Sequence, residues 1–322
     1  MRDMSPREVV SVVLFLGVVL TVYGLQVLLF AKYVLNRPCR RAGRKVLFTK
    51  RVLVLHVLVV VGVVCLLYAY FIEPHWVDVK VMILRTAKLK NAGFRIVQIS
   101  DLHCDSAAQN EEEAIQLIND LKPDVVVATG DYLNHTRALP RLKETLRRLD
   151  APLGKFAIGS TVDTHHDISP AAFAGTDFRL LHEDGVTVTK GEDAINIWGL
   201  SHEEPGASRR LLGQVSAHAF NVFLFHTPDL VEEVSGPGID LYLCGHTHGG
   251  QVRLPLYGAL FTNSKFGKKY ESGLYRVGET TLYVNRGLGM SPRPWTQLRF
   301  RARPEIAVFD ILPEPGRRPP TE

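Results

Sequence analysis

FRIVQISDLH (residues 94–103) is a run of apolar and β-branched residues that ends on an acid and a histidine. Its first seven residues read as a strand. Beyond a polar connection, EEEAIQLINDLK (111–122) sets Ala114, Leu117, Ile118 and Leu121 at helical spacing with acids in its first turn, and DVVVATG (124–130) is a second strand. Strand, helix and strand in this order point to α/β layers.

The same strand signature recurs outward from this unit. KFAIG (155–159), AINIWGL (194–200), FNVFLFH (220–226), DLYLCGH (240–246), TLYVNRG (281–287) and EIAVFDI (305–311) all carry it, and HWVDVKVMILR (75–85) alternates as a half-buried strand does. A second helix is expected within LPRLKETLRRL (139–149). Early helix–strand alternation followed by mostly strands predicts sheets packed on each other with helices outside. The tail PEPGRRPPTE (313–322) is too rich in proline and charge to pack.

The N-terminal part is of another kind. Val9–Ala31 and Val52–Ile72 carry no Asp, Glu, Lys or Arg, and each reaches the roughly 20 residues that a membrane-spanning helix needs. The first is too long for the apolar core of a signal peptide. A transmembrane hairpin over residues 1–73, a soluble domain over 74–312 and a mobile tail over 313–322 are therefore expected. The loop Arg37–Arg51 holds seven basic residues, which places it in the cytoplasm and the soluble domain on the non-cytoplasmic side of the cell (inner) membrane, in a multi-pass arrangement. Up to Lys90 there are 14 basic and 4 acidic residues; beyond it, 24 and 29. The net charge of +5 thus belongs to the membrane region, and the soluble part lacks a nucleic-acid-binding signature. Cys104 and Cys244 fit no metal-binding or redox spacing and read as buried strand-end residues.

Several strands run into metal-ligand residue types: Asp101 and His103, Asp131, His226, and His246 with His248. Strand C-termini in α/β sheets converge on one crevice, so these residues can meet in space. If the backbone is extended, the i, i+2 spacing of each pair sends both side chains to one side. A lone aspartate after glycine, such as Asp131, is usually a turn residue, and a strand-end histidine such as His226 usually serves packing. Their joint occurrence shifts the balance: four imidazoles and two carboxylates suit two divalent ions of the Mn, Fe or Zn kind.

QISDLH, ATGDYLN, FHTPD and CGHTHGGQ, in this order, resemble the motifs of calcineurin-like metallophosphoesterases, in particular a bacterial branch with an N-terminal membrane segment. YVNRGLG (283–289) and RPEIAVFDI (303–311) are similar to that branch too, so the resemblance covers roughly Phe94 to Ile311. It implies two packed mixed β-sheets flanked by helices, and hydrolysis of a phosphate ester or anhydride. It also implies that Asp101, His103 and His248 hold one metal, that His226 and His246 hold a second, and that Asp131 bridges them, with Asp131 and His248 at the reacting centre. Such ions lie roughly 3.5–4 Å apart and share a hydroxide that attacks phosphorus in line. Members with this membrane layout include hydrolases of UDP-2,3-diacylglucosamine, which implies a phosphorylated small molecule or a nucleotide-linked lipid as substrate. A membrane tether would raise the local concentration of a lipid.

One stretch departs from the family pattern. Where the resemblance calls for Gly-Asn-His-Asp, FAIGSTVD has Ser160, Thr161, Val162 and Asp163. Thr161 is a weak ligand at the usual Asn position, and Val162 cannot protonate a leaving group. His165 and His166 stand nearby as candidates to compensate. Either the substrate carries a good leaving group, such as a phosphoanhydride, or the domain is a catalytically impaired binding or scaffold module. Arg286 and Arg293 are candidate phosphate contacts by charge alone.

Overall fold

A computed structural model describes residues 4–35, 49–107, 109–159, 169–201, 207–236, 238–291 and 297–315. Two long helices come first, α1 (Pro6–Leu35) and α2 (Lys50–Phe71). Both are long and apolar enough to cross a membrane, with lengths of ~45 and ~33 Å at the α-helical rise. Their apolar side chains are largely exposed. The two helices touch each other through polar groups: His56 Nδ1 meets Gln26 Oε1 at 2.9 Å, and Tyr23 Oη donates to the carbonyl of Val59 at 3.4 Å.

The chain then enters β1 (Asp78–Thr86), β2 (Phe94–Ile99), α3 (Glu111–Asp120), β3 (Val125–Ala128), α4 (Leu139–Arg147), β4 (Lys155–Ile158) and β5 (Phe178–Leu181). It continues through β6 (Glu183–Lys190), β7 (Asp193–Leu200), β8 (Phe220–Leu224), β9 (Leu241–Cys244), β10 (Arg253–Leu254), β11 (Gly258–Ala259), β12 (Gly273–Val277), β13 (Thr280–Val284) and β14 (Glu305–Pro313). One six-stranded sheet has the order β1-β14-β2-β3-β4-β5, and the other β12-β13-β9-β8-β7-β6. Both are mixed: β14 runs antiparallel to β2 in the first, and β12 and β6 run antiparallel to their neighbours in the second.

The central strands are apolar on both faces because both faces are covered. Ile96, Val125, Val127 and Phe309 of the first sheet pack with Ile197, Val222, Leu224 and Leu243 of the second. Alternate residues of β2 and β3, Val97, Ile99 and Val126, turn outward onto Ile115 and Ile118 of α3 and Leu142 and Leu146 of α4. Two packed mixed sheets with helices outside are the architecture expected from the sequence.

The chain direction also fixes where α1 and α2 stand relative to the sheets. β1 starts three residues after a turn at Glu73–His75 that follows α2. It runs parallel to β14, which is antiparallel to β2. The C-terminal end of β2 therefore lies at the edge where β1 begins, the edge nearest α2. β3 and β4, parallel to β2, end at the same edge. β14 runs to Pro313 and the Glu314 N–H donates to Thr86, so ordered pairing reaches into the expected tail; residues 316–322 lie outside the described part.

Candidate metal centre

The strands stop short of the candidate ligands. β2 ends at Ile99, β3 at Ala128, β8 at Leu224 and β9 at Cys244. Asp101, His103, Asp131, His246 and His248 then take left-handed backbone, with φ of 48°, 42°, 49°, 70° and 50°. The extended i, i+2 geometry expected for the two pairs is thus replaced by left-handed turns that aim the side chains at a common point. Such a conformation costs a non-glycine residue ~1 kcal/mol or more and persists only where the surroundings over-determine it. Here a lattice of backbone bonds does so: Asp101 N–H to Gly130 O (2.9 Å), His103 N–H to Asp131 O (2.9 Å), Gly245 N–H to His226 O (2.9 Å) and Gly289 N–H to Asp101 O (2.8 Å).

Two triads result, Asp101, His103 and His248, and Asp131, His226 and His246, each with ligand atoms within 4.8 Å of one another. In the first, His248 Nε2 lies 3.4 Å from Asp101 Oδ1 and 3.2 Å from His103 Nε2. In the second, His226 Nε2 lies 3.0 Å from His246 Nδ1 and 3.3 Å from Asp131 Oδ1. Asp131 turns its other oxygen, Oδ2, toward His103 Nε2 at 3.7 Å, so one carboxylate faces both triads. Five of the six side chains are buried, and the sixth, His246, is half-buried.

The hydrogen bonds fix which nitrogen of each ring is free. His226 Nδ1–H donates to the carbonyl of Thr129 at 2.8 Å, which leaves Nε2 as a lone pair. His246 Nε2–H donates to the carbonyl of Asn263 at 3.2 Å, which leaves Nδ1 as a lone pair. These two lone pairs face each other at 3.0 Å, and two lone pairs cannot rest there without a cation between them. A divalent ion fits that requirement, and a proton meets it otherwise: burial lowers the pKa of His226, but the adjacent Asp131 carboxylate outweighs it and raises the value to about 9. Burial and the charge on His226 push His246 down. Burial, His103 and Arg299 push His248 well down, so it stands as a neutral ligand. Burial opposes the ionisation of Asp131, yet His226 and the other histidines hold its carboxyl well below the usual range. The chemistry of this donor set suits N/O-ligated Mn, Fe or Zn.

Three contributors left no mark in the sequence. Ser100 Oγ–H donates to Asp101 Oδ2 at 2.6 Å and the His246 N–H reaches both Asp101 oxygens at 3.1 Å, so that carboxylate is held from two sides. The side-chain amide of Asn263 lies 3.2 Å from His246 Nε2 while its Oδ1 is buried without a partner. Turning that amide over would put the oxygen on the Nε2–H. Fully buried Arg299 donates to the carbonyls of Arg286 (3.0 Å), Ala302 (2.8 Å), Gly287 (3.2 Å) and Gly289 (2.6 Å).

Arg286 is committed elsewhere. Its guanidinium bonds Glu305 and, at 3.0 Å, Asp78, and these partners outweigh burial and raise its pKa. Thr161, His165, His166 and Arg293 lie outside the described residues. Cys104 and Cys244 are buried free thiols; Cys244 is the last residue of β9, whereas Cys104 lies beyond β2 in an isolated bridge to Leu133.

Residues 94–250 match the calcineurin-like phosphoesterase family. A metallophosphoesterase of Bacillus subtilis, YkuE, is 34% identical over 266 residues, spanning 76% of this chain and 88% of its own. The Escherichia coli phosphodiesterase YaeI is 28% identical, over 76% of this chain and 92% of its own. The UDP-2,3-diacylglucosamine pyrophosphatase LpxG of Chlamydia trachomatis is 29% identical, over 69% and 85%. With paired strand-end triads and relatives matched over most of their length, the chain belongs to the calcineurin-like metallophosphoesterases, metal-dependent hydrolases of phosphoester bonds.

Proposed function

We propose that this protein is a membrane-anchored phosphohydrolase that uses two divalent ions to cleave a phosphodiester or pyrophosphate bond in a lipid or nucleotide-linked lipid. The observation that carries the reading is Asp131, one carboxylate with an oxygen toward each triad. Bound there, divalent ions supply Lewis-acid stabilisation of the phosphoryl oxygens and lower the pKa of a water at the site.

The residues of the chain do the rest. Asp101, His103 and His248 would hold one ion and His226 and His246 the other, with Asp131 between them. The Thr129 and Asn263 carbonyls keep the two imidazoles of the second triad in the tautomer that ligates. The left-handed turns hold the set rigid, so the site does not reorganise as charge develops.

The lipid part of the reading rests on placement. The strand edge that carries the triads is the edge facing α2, and Arg299, whose guanidinium lies 3.3 Å from His248 Nδ1, bonds the carbonyl of Ala69 in α2 through its backbone N–H at 3.0 Å. A site this near the membrane helices meets substrate concentrated at the bilayer. The pyrophosphatase and phosphodiesterase named among the relatives support a lipid-linked anhydride or a diester. The basic loop Arg37–Arg51 favours both helices spanning, with the catalytic domain outside the cytoplasm.

The test is an assay of the full chain with Mn²⁺ on a bis-aryl phosphodiester and on a nucleoside-diphosphate lipid, beside Asp131→Ala. Turnover lost in the variant and two ions per wild-type chain are expected. Equal, negligible rates for both proteins would overturn the reading.

A further inference from the structure

The hairpin of β10 and β11 stands out from the rest of the surface. Leu254, Pro255, Leu256 and Tyr257 close it, with the Tyr257 N–H on the Leu254 carbonyl at 3.3 Å. Proline second and a positive φ third make a turn whose third position favours glycine or asparagine. Leu256 stands there, at φ 63° and fully exposed. The left-handed backbone disfavours leucine at this place, and together with the exposed Tyr257 this leucine gives the hairpin an apolar tip.

The turn lies against α1. Ser11 Oγ–H donates to the Arg7 carbonyl at 2.8 Å, so the short contact between Ser11 Oγ and Tyr257 Oη has the tyrosine as donor. Ser11 lies inside α1, beyond the exposed Val9 and Val10 and just before the exposed Val13 and Leu14. The hairpin therefore reaches past the start of the apolar surface of α1, and the exposed Leu256 is the chain neighbour of the tyrosine that makes this contact.

Its surroundings are those of a headgroup region. The Lys268 ammonium lies 4.0 Å from the Tyr257 ring centroid and donates to the carbonyls of Tyr257 (2.8 Å) and Ala259 (2.7 Å). At the end of α2, Tyr70 and Phe71 are exposed, and Trp76 is covered by the Arg303 guanidinium at 3.4 Å. Aromatic rings paired with long cationic side chains mark the membrane–water boundary.

We infer that the β10–β11 hairpin is a membrane-interface anchor, with Leu256 and Tyr257 seated in the headgroup–acyl boundary beside α1. This rests on the reading that α1 and α2 span the bilayer. The anchor is coupled to the metal centre: Arg253 donates to the carbonyl of Gly249, next to His248, at 3.1 Å, and Glu271 makes a second link. Glu271 pairs with Arg253 (3.0 Å) and Lys268 (2.7 Å) and accepts the Ala259 N–H (3.1 Å), while its carbonyl accepts the hydroxyl of Thr247, between His246 and His248, at 2.7 Å. The hairpin thus fixes the tilt at which the triads face the lipid surface.

The test uses the full chain in phosphatidylcholine–phosphatidylglycerol vesicles, with and without bromine on the acyl chains, and three single variants: Leu256→Trp, Val18→Trp within α1, and Glu192→Trp. Glu192 lies in the β6–β7 turn at the opposite edge of the sheets. The added Leu256→Trp emission should be blue-shifted and lose intensity in brominated vesicles, most with bromine near the headgroup end. Val18→Trp should be quenched most by bromine near the terminal methyl, and Glu192→Trp not at all. Quenching of Val18→Trp without quenching of Leu256→Trp would overturn the anchor and leave the spans standing. Loss of both would overturn the spanning reading and the anchor together.

Discussion

Arg299 sits with its guanidinium 3.3 Å from Nδ1 of His248, a buried cation behind a candidate metal ligand. Burial and the neighbouring Arg286 lower its pKa to about 10, so it stays charged at neutral pH. Its four backbone carbonyl partners come from the loops that follow β13 and precede β14. The Gly287 carbonyl also accepts the Glu305 N–H (3.1 Å), so replacing Arg299 by Leu leaves the other three carbonyls without their donor, at about 1–3 kcal/mol for each that water cannot reach. Arg299→Leu should destabilise the folded chain by about 3 kcal/mol or more in urea, and Arg299→Lys, which keeps the charge, by less. Equal stability of Arg299→Leu and wild type would remove the arginine from the support of this loop.

Asn263 acts on the second triad from outside it. Its carbonyl and its amide both face His246 Nε2 at 3.2 Å. Asn263→Ala keeps the carbonyl and removes the amide. Loss of an outer hydrogen-bonding partner typically lowers metal affinity about 10- to 100-fold. Competition with a chelator, followed by metal analysis, should show one of two ions leaving the variant at lower chelator concentration, with the other unchanged. If both ions leave together at the wild-type concentration, the amide has no part in holding His246.

Gly245 links the two triads in the backbone, its N–H bonding the His226 carbonyl at 2.9 Å. A Cβ there would lie 2.0 Å from Ser100 Oγ and 2.1 Å from Asp101 Oδ2, distances no side chain can keep. Both atoms are already bonded to each other at 2.6 Å, so neither can withdraw freely. Gly245→Ala should cost about 1–3 kcal/mol, the usual range for overpacking, and should lower turnover by displacing Asp101. A variant with wild-type activity and melting temperature would mean that the segment between β9 and His246 shifts as a unit.

The six candidate ligands were legible in the sequence because metal chemistry demands particular residue types, and strand ends told where they would gather. The fold was legible for a related reason: strands such as VVVA of β3 are buried on both faces and leave continuous apolar runs. Left-handed backbone at Asp101 or His248 was not legible, since it is imposed by bonds to Gly130 and other distant backbone groups rather than by the residue's own preference. Contacts made through carbonyls, those of Thr129 and Asn263, carry no residue-type signature at all. Arg286 shows the limit of charge as a guide: its partners Asp78 and Glu305 flank it only because β1 pairs with β14.

At the edge of the sheets far from the metal centre, the Asp193 carboxylate accepts the backbone N–H groups of Lys90 (2.7 Å), Asn91 (2.7 Å) and Ala92 (2.6 Å), which fasten the segment before β2. The bonds from Ala92 and Lys90 are the main cause of a pKa below the ordinary 3.8. A carboxylate depressed in the folded state contributes stability that is complete above its unfolded value and is lost as pH falls through the folded one. Asp193→Asn should therefore melt below wild type at neutral pH, with the gap constant down to about pH 5 and shrinking as pH falls below about 4. Thermal melts of the two full-length proteins across that range decide it. A gap that stays constant into strong acid would show that the shape of the side chain, and not its charge, holds the three amides.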